Sequence, residues 1–220
     1  MPRGFPRPAI YLVTAGAVRG ADDGSGDELV ALASHASAAG VDVVQLREPQ
    51  LSDATLMALA RRLLGAVDRT RTLVLVNDRA DAALAAGVDG VHLRSGAMPA
   101  SRVRAIAPDG FIVGRSVHSA SEAAEEWRGG GLDYLIFGTV FPSASKPSDH
   151  PVSGVEELRK ACASATAPVI AIGGMTAARA AQAAAAGAAG VAAIGMFLEA
   201  DRAGKLQELV RNVRRAFDTR

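Results

Sequence analysis

Four histidines are the residues of this chain best suited to move a proton near neutral pH, and their sequence surroundings differ. His118 lies in the segment Gly-Arg-Ser-Val-His-Ser at 114–119, where an apolar run ends. An imidazole placed there can take up a proton and return it, which suits isomerisation or elimination. His35 falls in a helix-like stretch, His92 inside an apolar run and His150 in a loop rich in Ser, Pro and Asp. His118 is therefore the best catalytic candidate.

Polar side chains also follow several other apolar runs. Gln45 closes one run, and four cations, Arg47, Arg79, Arg115 and Lys146, stand near the ends of others. Several cations that converge on one place indicate an anionic substrate, because guanidinium and ammonium groups bind phosphate and carboxylate. The pair Asn77 and Asp78 could hold Mg²⁺, or Asp78 could pair with Arg47 or Arg79.

Two glycine-containing segments follow the last two apolar runs. Gly173 and Gly174 would let the backbone approach a ligand closely, and Gly195 stands in the equivalent place after the next run. Thr176 opens a helix whose first N–H groups favour an anion. We therefore predict a phosphate site at these glycines.

A repeat indicates which elements position these residues. The pattern small-Gly-apolar-Asp/small-apolar-apolar recurs at 39–44, 86–91, 130–135 and 186–191. Its glycine suits the left-handed end of a helix, and the following run suits a strand buried on both faces. The eight predicted strands cover residues 9–15, 41–47, 72–77, 88–93, 111–116, 132–138, 168–173 and 189–195.

Helical stretches lie between the strands, for example at 52–67, where Ser52 suits the N-cap. Alternating strands and helices predict a parallel sheet, and eight such pairs predict an α/β fold, a (β/α)₈ TIM barrel, as one domain over residues 1–220. The alternative is a doubly wound open sheet, which usually has fewer strands and a Gly-x-Gly-x-x-Gly turn. In TIM barrels the chemistry lies at the carboxyl ends of the strands, where the polar residues above are placed.

Composition excludes several classes of protein. A formal net charge of +1 over 220 residues argues against a nucleic-acid partner, and the single cysteine, Cys162, argues against a disulfide framework and fits a cytoplasmic protein. The apolar run after Arg3 and Arg7 faintly resembles a signal peptide, but its β-branched residues favour a first strand. The Ala-rich stretch 175–200 is broken by glycine and polar residues, so we expect no membrane span.

Together these motifs resemble the thiamine-phosphate synthase/TenI superfamily over nearly the whole chain. The matching segments are 45–48 (Gln-Leu-Arg-Glu), 76–79 (Val-Asn-Asp-Arg), 114–118 (Gly-x-Ser-x-His), 138–146 (Gly-x-x-Phe-Pro-Ser-x-Ser-Lys) and 171–175 (Ala-Ile-Gly-Gly-Met). The resemblance implies a thiazole phosphate ligand whose phosphate binds the loops after strands 7 and 8, at Gly173, Gly174, Ile194 and Gly195. It implies substrate contacts from Gln45, Arg47, Asn77, Asp78, Ser116, Ser143, Ser145 and Lys146.

The family contains two activities, and the chain departs from one of them. Synthases join hydroxymethylpyrimidine pyrophosphate to thiazole phosphate with Mg²⁺, and they typically carry a lysine and a second Asp where this chain has Pro49 and Ala97. Losing these charges removes groups that a pyrophosphate leaving group needs. Asp78, which would bind the metal in a synthase, and the Ser-Ala-Ser-Lys loop at 143–146 nevertheless remain synthase-like.

The segment 114–119 is identical to the signature of the TenI branch, whose members include thiazole tautomerases. That resemblance implies that His118 is the general acid/base, that Arg47 holds the substrate carboxylate, and that no cofactor is needed. We therefore predict a tautomerase, with a synthase as the alternative and a non-catalytic ligand-binding relative as a third possibility. Barrels of this family often pair, so a homo-oligomer is a further expectation.

Overall fold

The computed structural model describes residues 4–20, 24–143, 147 and 149–218. Eight parallel strands close into a barrel in sequence order, because the first strand pairs with both the second and the eighth. The strands are β1 Ala9–Val13, β2 Val43–Leu46, β3 Leu73–Asn77, β4 Gly90–Leu93, β5 Ile112–Val117, β6 Tyr134–Phe137, β7 Val169–Ile172 and β8 Gly190–Ala193. The predicted TIM barrel is confirmed, and the open-sheet alternative is wrong.

Helices follow the strands and cover the outside of the barrel. They are α1 Ser25–Ala39, α2 Asp53–Ala66, α3 Ala80–Ala86, α4 Ala100–Arg104, α5 Ala120–Arg128, α6 Gly154–Ser164, α7 Ala177–Ala185, α8 Gly195–Arg202 and α9 Leu206–Asp218. Ser52 caps α2 as predicted, since its hydroxyl accepts from the N–H of Thr55. Gly40 and Gly87 end α1 and α3 in the left-handed conformation, with φ of 95° and 71°.

The aspartate of the repeat has a structural role that its spacing did not reveal. In the first three copies the carboxylate lies just before a strand and accepts a hydrogen bond from a backbone N–H of the preceding strand. The pairs are Asp42 with Ile10 at 2.8 Å, Asp89 with Val74 at 2.7 Å and Asp133 with Val113 at 2.7 Å. The repeated aspartates therefore join neighbouring strands at the amino-terminal end of the barrel.

Alternation along the strands separates two cores. One face of each strand packs against the helices, and the other fills the barrel with a smaller cluster that includes Tyr11, Leu75, Tyr134 and Ile170. Tyr11 and Tyr134 are fully buried there, and the ring of Phe5 stacks on Tyr134 with 4.0 Å between centroids. Aromatic rings thus fill part of the barrel interior, and the space at the carboxyl ends of the strands stays open.

Candidate active site

A cavity of about 1140 Å³ opens at the carboxyl ends of the strands. Ten of the predicted site residues line it: Gln45, Arg47, Asn77, Ser116, His118, Ser143, Gly173, Gly174, Ile194 and Gly195. They come from strands and loops distributed around the barrel, as expected for a TIM-barrel active site. Ser145 and Lys146 lie outside the described residues.

His118 directly follows β5 and has an exposed side chain at the rim of this cavity. Its Nδ1 contacts the backbone oxygen of Gly138, which follows β6. A carbonyl oxygen can only accept, so Nδ1 donates the hydrogen bond. In the neutral ring Nε2 is then unprotonated and available as a base. The backbone N–H of His118 donates to Glu122 of α5 at 2.7 Å, which fixes the residue in place.

The predicted phosphate loops meet in this cavity, but Gly173 and Gly174 have a packing reason to be glycine. A Cβ on Gly173 would lie 2.5 Å from the side chain of Thr139, and one on Gly174 would lie 2.3 Å from the oxygen of Pro142. Both residues also have positive φ, 104° and 58°. These glycines are therefore required by the adjacent β6 loop, whatever they bind.

Helices α7 and α8 begin beside these glycines. Thr176 caps α7 by accepting from the N–H of Arg179 at 3.2 Å, and α8 starts at Gly195. The first turn of a helix has N–H groups without partners inside the helix, which suit an anion. The two helix starts and the glycine loops give this side of the cavity the character of an anion site.

Two cations on this side were missed by sequence reasoning. Arg179 in α7 lines the cavity, donates to the oxygen of Gly174 and lies 4.8 Å from the centroid of the Phe141 ring. Lys205, just before α9, also lines the cavity. Neither follows a strand, so a search of strand ends does not find them. The signal for Arg179 was its place in the first turn of the helix that Thr176 was predicted to open.

The tetrapeptide 45–48 contributes to the site in two ways. Gln45 and Arg47 line the cavity, while Glu48 points away and is 4% exposed. The Glu48 carboxylate accepts from the hydroxyl of Thr14 at 2.6 Å and from the N–H of Val18 at 2.9 Å. Glu48 thereby holds the loop after β1 beside Arg47.

Asp78 does not line the central cavity with the other predicted substrate-binding residues. It lines a second cavity of about 410 Å³, together with Pro49, Arg79 and Ala97, and among the described residues Asn77 is the one that lines both cavities. Asp78 pairs with neither Arg47 nor Arg79. Its Oδ2 lies 3.1 Å from Nε of Arg94, and its Oδ1 accepts from the Arg94 N–H at 2.9 Å.

The residues of the second cavity do not fit the Mg²⁺ that a synthase would use. Pro49 and Ala97, at the positions where synthases carry charges, both line it, so the departures fall together. The carboxylate of Asp78 already binds Arg94, and that of Glu48 is tied to the loop after β1. Among the described residues, no group of three or more His, Cys, Asp or Glu side chains is arranged to hold a metal ion.

Two of the predicted substrate-binding cations are used elsewhere. Arg79 is half-buried and donates hydrogen bonds to Asp53 and Asp81, and these bonds, aided by its charge, hold the pKa of both carboxyls below the usual range. Arg115 is buried between β5 and the helices, where its Nε lies 3.2 Å from Glu126 but is not aligned for a hydrogen bond. Since successive side chains of a strand alternate, Ser116 faces the cavity and Arg115 cannot.

The other histidines take three different positions. His35 is exposed on α1, with its Nδ1 2.9 Å from Asp201 of α8. His150 lines the cavity with Nε2 3.2 Å from the hydroxyl of Thr139. His92 is buried at the floor of the cavity, and burial, aided by the charge of Arg115, lowers its pKa to about 3. His92 is therefore neutral and lines the site.

A family model described as thiamine monophosphate synthase matches residues 10–197. The thiamine-phosphate synthase of Methanoregula boonei is 37% identical over 76% of this chain and 74% of its own length. A putative thiamine-phosphate synthase of Geobacter sulfurreducens is 40% identical over 76% of both chains. The solved thiamine phosphate pyrophosphorylase of Pyrococcus furiosus is 30% identical, with a TM-score of 0.77 over 96% of this chain and 95% of that one.

These findings bear on the functional prediction in two ways. The family is one of thiamine biosynthesis, which confirms the general part of the prediction. The names of the relatives favour the synthase alternative over the tautomerase, and none of these names places the chain in the TenI branch. Within the described ranges no helix is both long and apolar enough to cross a membrane. The chain belongs to the thiamine-phosphate synthase/TenI superfamily.

Proposed function

We propose that the protein is a thiazole tautomerase of thiamine biosynthesis, which binds a carboxythiazole phosphate in the central cavity and moves one proton on it. The observation that supports this most is the ring of His118, whose Nδ1 donates to Gly138 and whose Nε2 is left as a base at the cavity rim. In the reaction a proton leaves the ring carbon that bears the carboxylate. A proton is then added at the exocyclic carbon, and the ring becomes aromatic.

The distribution of charge in the cavity suits this substrate. The glycine loops after β7 and β8, together with Arg179, would bind the phosphate on one side. Arg47, which also lines the cavity, would bind the carboxylate. Holding both anionic groups fixes the ring between them, so that one base can serve the two carbon atoms. Such a proton transfer needs no cofactor.

The second candidate is a thiamine-phosphate synthase, which the names of the relatives favour. It would use the same central cavity for the thiazole phosphate and would need the pyrophosphate of its other substrate to bind nearby. The second cavity adjoins the first at Asn77, but it contains Pro49 and Ala97 and a carboxylate paired with Arg94. These residues make the synthase the weaker candidate on geometry.

Two assays on the same purified protein separate the candidates. In the first, the carboxythiazole phosphate is supplied in D₂O, and we expect the aromatic product with solvent deuterium at the exocyclic carbon. In the second, the pyrimidine pyrophosphate, thiazole phosphate and Mg²⁺ are supplied, and we expect no thiamine phosphate. Robust thiamine phosphate formation would overturn the tautomerase proposal. Tight binding of thiazole phosphate without turnover in either assay would indicate a non-catalytic relative.

Variants that restore the missing charges sharpen this comparison. Pro49→Lys with Ala97→Asp would place an ammonium and a carboxylate in the second cavity, beside Asp78. If the lost charges explain the absence of synthase activity, the double variant gains thiamine phosphate formation over the wild type. The double variant Pro49→Ala with Ala97→Ser is the matched control, because it changes the same positions without adding charge. A wild type that is already as active as the charged variant would favour the synthase.

A further inference from the structure

Six polar side chains from six different strands form a continuous chain of hydrogen bonds through the barrel interior. In order they are Ser116, His92, Tyr134, Tyr11, Gln45 and Asn77. The four inner members are at most 2% exposed, whereas Ser116 and Asn77 are half-buried at the two ends. Both end residues line the central cavity. The buried chain therefore starts and finishes at the same ligand-binding surface.

The direction of the bonds follows from the Asn77 end. The amide nitrogen of Gln45 donates to Oδ1 of Asn77 at 2.7 Å, and the amide oxygen of Gln45 accepts from the Tyr11 hydroxyl at 2.8 Å. A phenol has one proton, so the oxygen of Tyr11 must accept from the next residue. That residue is Tyr134, whose hydroxyl oxygen lies 2.9 Å away. Tyr134 is therefore the donor in this pair.

The same argument extends to the Ser116 end. Tyr134 has used its proton, so its oxygen accepts from Nδ1 of His92 at 3.0 Å. The imidazole of His92 is neutral, because burial, aided by the positive charge of Arg115, lowers its pKa to about 3. With its one proton on Nδ1, His92 has only a lone pair at Nε2. That atom accepts from the hydroxyl of Ser116 at 2.8 Å.

We propose that this chain of hydrogen bonds has one direction, from Ser116 to Asn77, and that it sets the hydrogen-bonding specificity of the cavity. The Ser116 hydroxyl, committed to His92, meets a ligand as an acceptor, and the Asn77 amide, whose oxygen accepts from Gln45, meets a ligand as a donor. A ligand nitrogen with a lone pair, such as that of a thiazole, then belongs at Asn77. A ligand N–H or O–H belongs at Ser116.

His92 and Tyr134 are positioning residues in this scheme, because they act on a ligand through Ser116. The packing holds Tyr134 in place for that task. A Cβ on Gly114 would lie 2.0 Å from Cζ of Tyr134, so glycine is needed at this position. The ring of Phe5 stacks on the ring of Tyr134 with an interplanar angle of 10°. The direction of the hydrogen bonds does not depend on which reaction the protein catalyses. The ligand preference rests on the proposed binding of substrate in this cavity.

The direction can be read from the protonated nitrogen of His92 in the full-length protein. Long-range ¹H–¹⁵N correlation spectra of ¹⁵N-histidine-labelled protein report which nitrogen of each imidazole carries the proton. We expect His92 to carry it on Nδ1 throughout the range from about pH 6 to about pH 8, in which an ordinary imidazole changes its charge. A proton on Nε2, a mixture of the two forms, or titration of His92 in this range would overturn the proposal.

Two variants test whether the hydroxyl of Tyr134 fixes this form. Tyr134→Phe removes the acceptor of the Nδ1 proton and should shift His92 towards the Nε2-protonated form, which can donate to Ser116. Phe5→Leu is the matched control, because it disturbs the packing of Tyr134 and keeps the hydroxyl. It should leave His92 unchanged. An unchanged spectrum in Tyr134→Phe, or the same shift in both variants, would contradict the proposal, and the wild-type spectrum decides it if Tyr134→Phe does not fold.

A binding measurement tests the consequence for the ligand, with thiazole phosphate as the probe. His92→Gln keeps one donor and one acceptor, and His92→Leu keeps neither. We expect Leu to weaken binding about 2- to 10-fold more than Gln, the equivalent of one hydrogen bond. Equal losses would indicate that His92 acts only by filling space and would overturn its positioning role. If the wild type does not bind thiazole phosphate, the proposed function fails while the spectra still decide the direction of the chain.

Discussion

The two ends of the barrel use polar side chains in opposite ways. At the amino-terminal end, Asp42, Asp89 and Asp133 each accept from a strand N–H and each lie within 3.4 Å of an arginine. At the carboxyl-terminal end, Arg47 and His118 are exposed side chains at the cavity. The three aspartates are satisfied within the protein, whereas Arg47 and His118 face the space where a ligand would lie.

This difference separates stability from chemistry along the barrel axis. Removing a carboxylate from the amino-terminal end leaves a strand N–H and an arginine without their partner, so the cost is in folding. Removing an exposed cavity side chain such as Arg47 or His118 leaves few protein groups unpaired, so the cost is in binding or catalysis. Four substitutions test the comparison, in order of decreasing expected effect.

His118→Ala should give the largest change and should affect activity alone. If His118 carries the proton, kcat/KM for tautomerisation falls by about 10²- to 10⁴-fold. The unfolding free energy should change by about 1 kcal/mol or less, because the side chain is exposed and makes one hydrogen bond to Gly138. Steady-state kinetics and denaturant unfolding measure the two effects. His35→Ala, another exposed histidine, is the control, and equal turnover in both variants would assign the proton transfer to another group.

Gly114→Ala tests the layer between the two ends. The new Cβ would lie 2.0 Å from the ring of Tyr134. This ring cannot easily move away, because the ring of Phe5 stacks on it. We expect a loss of about 1–3 kcal/mol in unfolding free energy from overpacking, measured by denaturant titration. Gly65→Ala in α2, where a Cβ meets nothing within 4 Å, is the matched control and should not destabilise. A Gly114→Ala variant as stable as this control would contradict the tight packing.

Asp133→Ala should lower stability while leaving the site unchanged. It removes the acceptor of the Val113 N–H and the partner of Arg104, at an expected cost of about 1–3 kcal/mol. The kcat/KM of the folded fraction should equal that of the wild type. The control for stability is Asp109→Ala, because Asp109 is exposed in the loop between α4 and β5. Lower activity per folded molecule would show that the amino-terminal end is coupled to the site.

Arg79→Ala should have the smallest effect. Arg79 lowers the pKa of Asp53 and Asp81, so in the native protein both carboxyls stay charged to lower pH than in the unfolded chain. The resulting stabilisation is present above their ordinary pKa and is lost as pH falls, and it is small because the pairs are exposed. In the variant, NMR titration should show both pKa values moving up towards normal. Unchanged pKa values of Asp53 and Asp81 would contradict the conclusion that Arg79 lowers them.

The repeat and the helix caps could be predicted from the sequence because they are local. The glycine of each copy and Ser52 act on neighbouring backbone, and eight such units predict a closed barrel. The prediction that Arg115 lies at the mouth of the barrel was wrong. It could have been avoided, because side chains alternate along β5 and Arg115 therefore faces the side of the strand opposite to that of Ser116. The pairing of Asp78 with Arg94 and the hydrogen-bond chain through Tyr134 join residues distant in sequence, and no local pattern encodes them.

A crystal structure with bound thiazole phosphate would test the central claim most directly. We expect the phosphate to lie against the backbone of Gly173, Gly174 and Gly195, with the ring directed towards His118 and its nitrogen towards Asn77. Such a complex would place ligand and base at the carboxyl-terminal end, as the comparison of the two ends requires. A phosphate bound instead in the second cavity beside Arg79, with the central cavity free of ligand, would contradict the account.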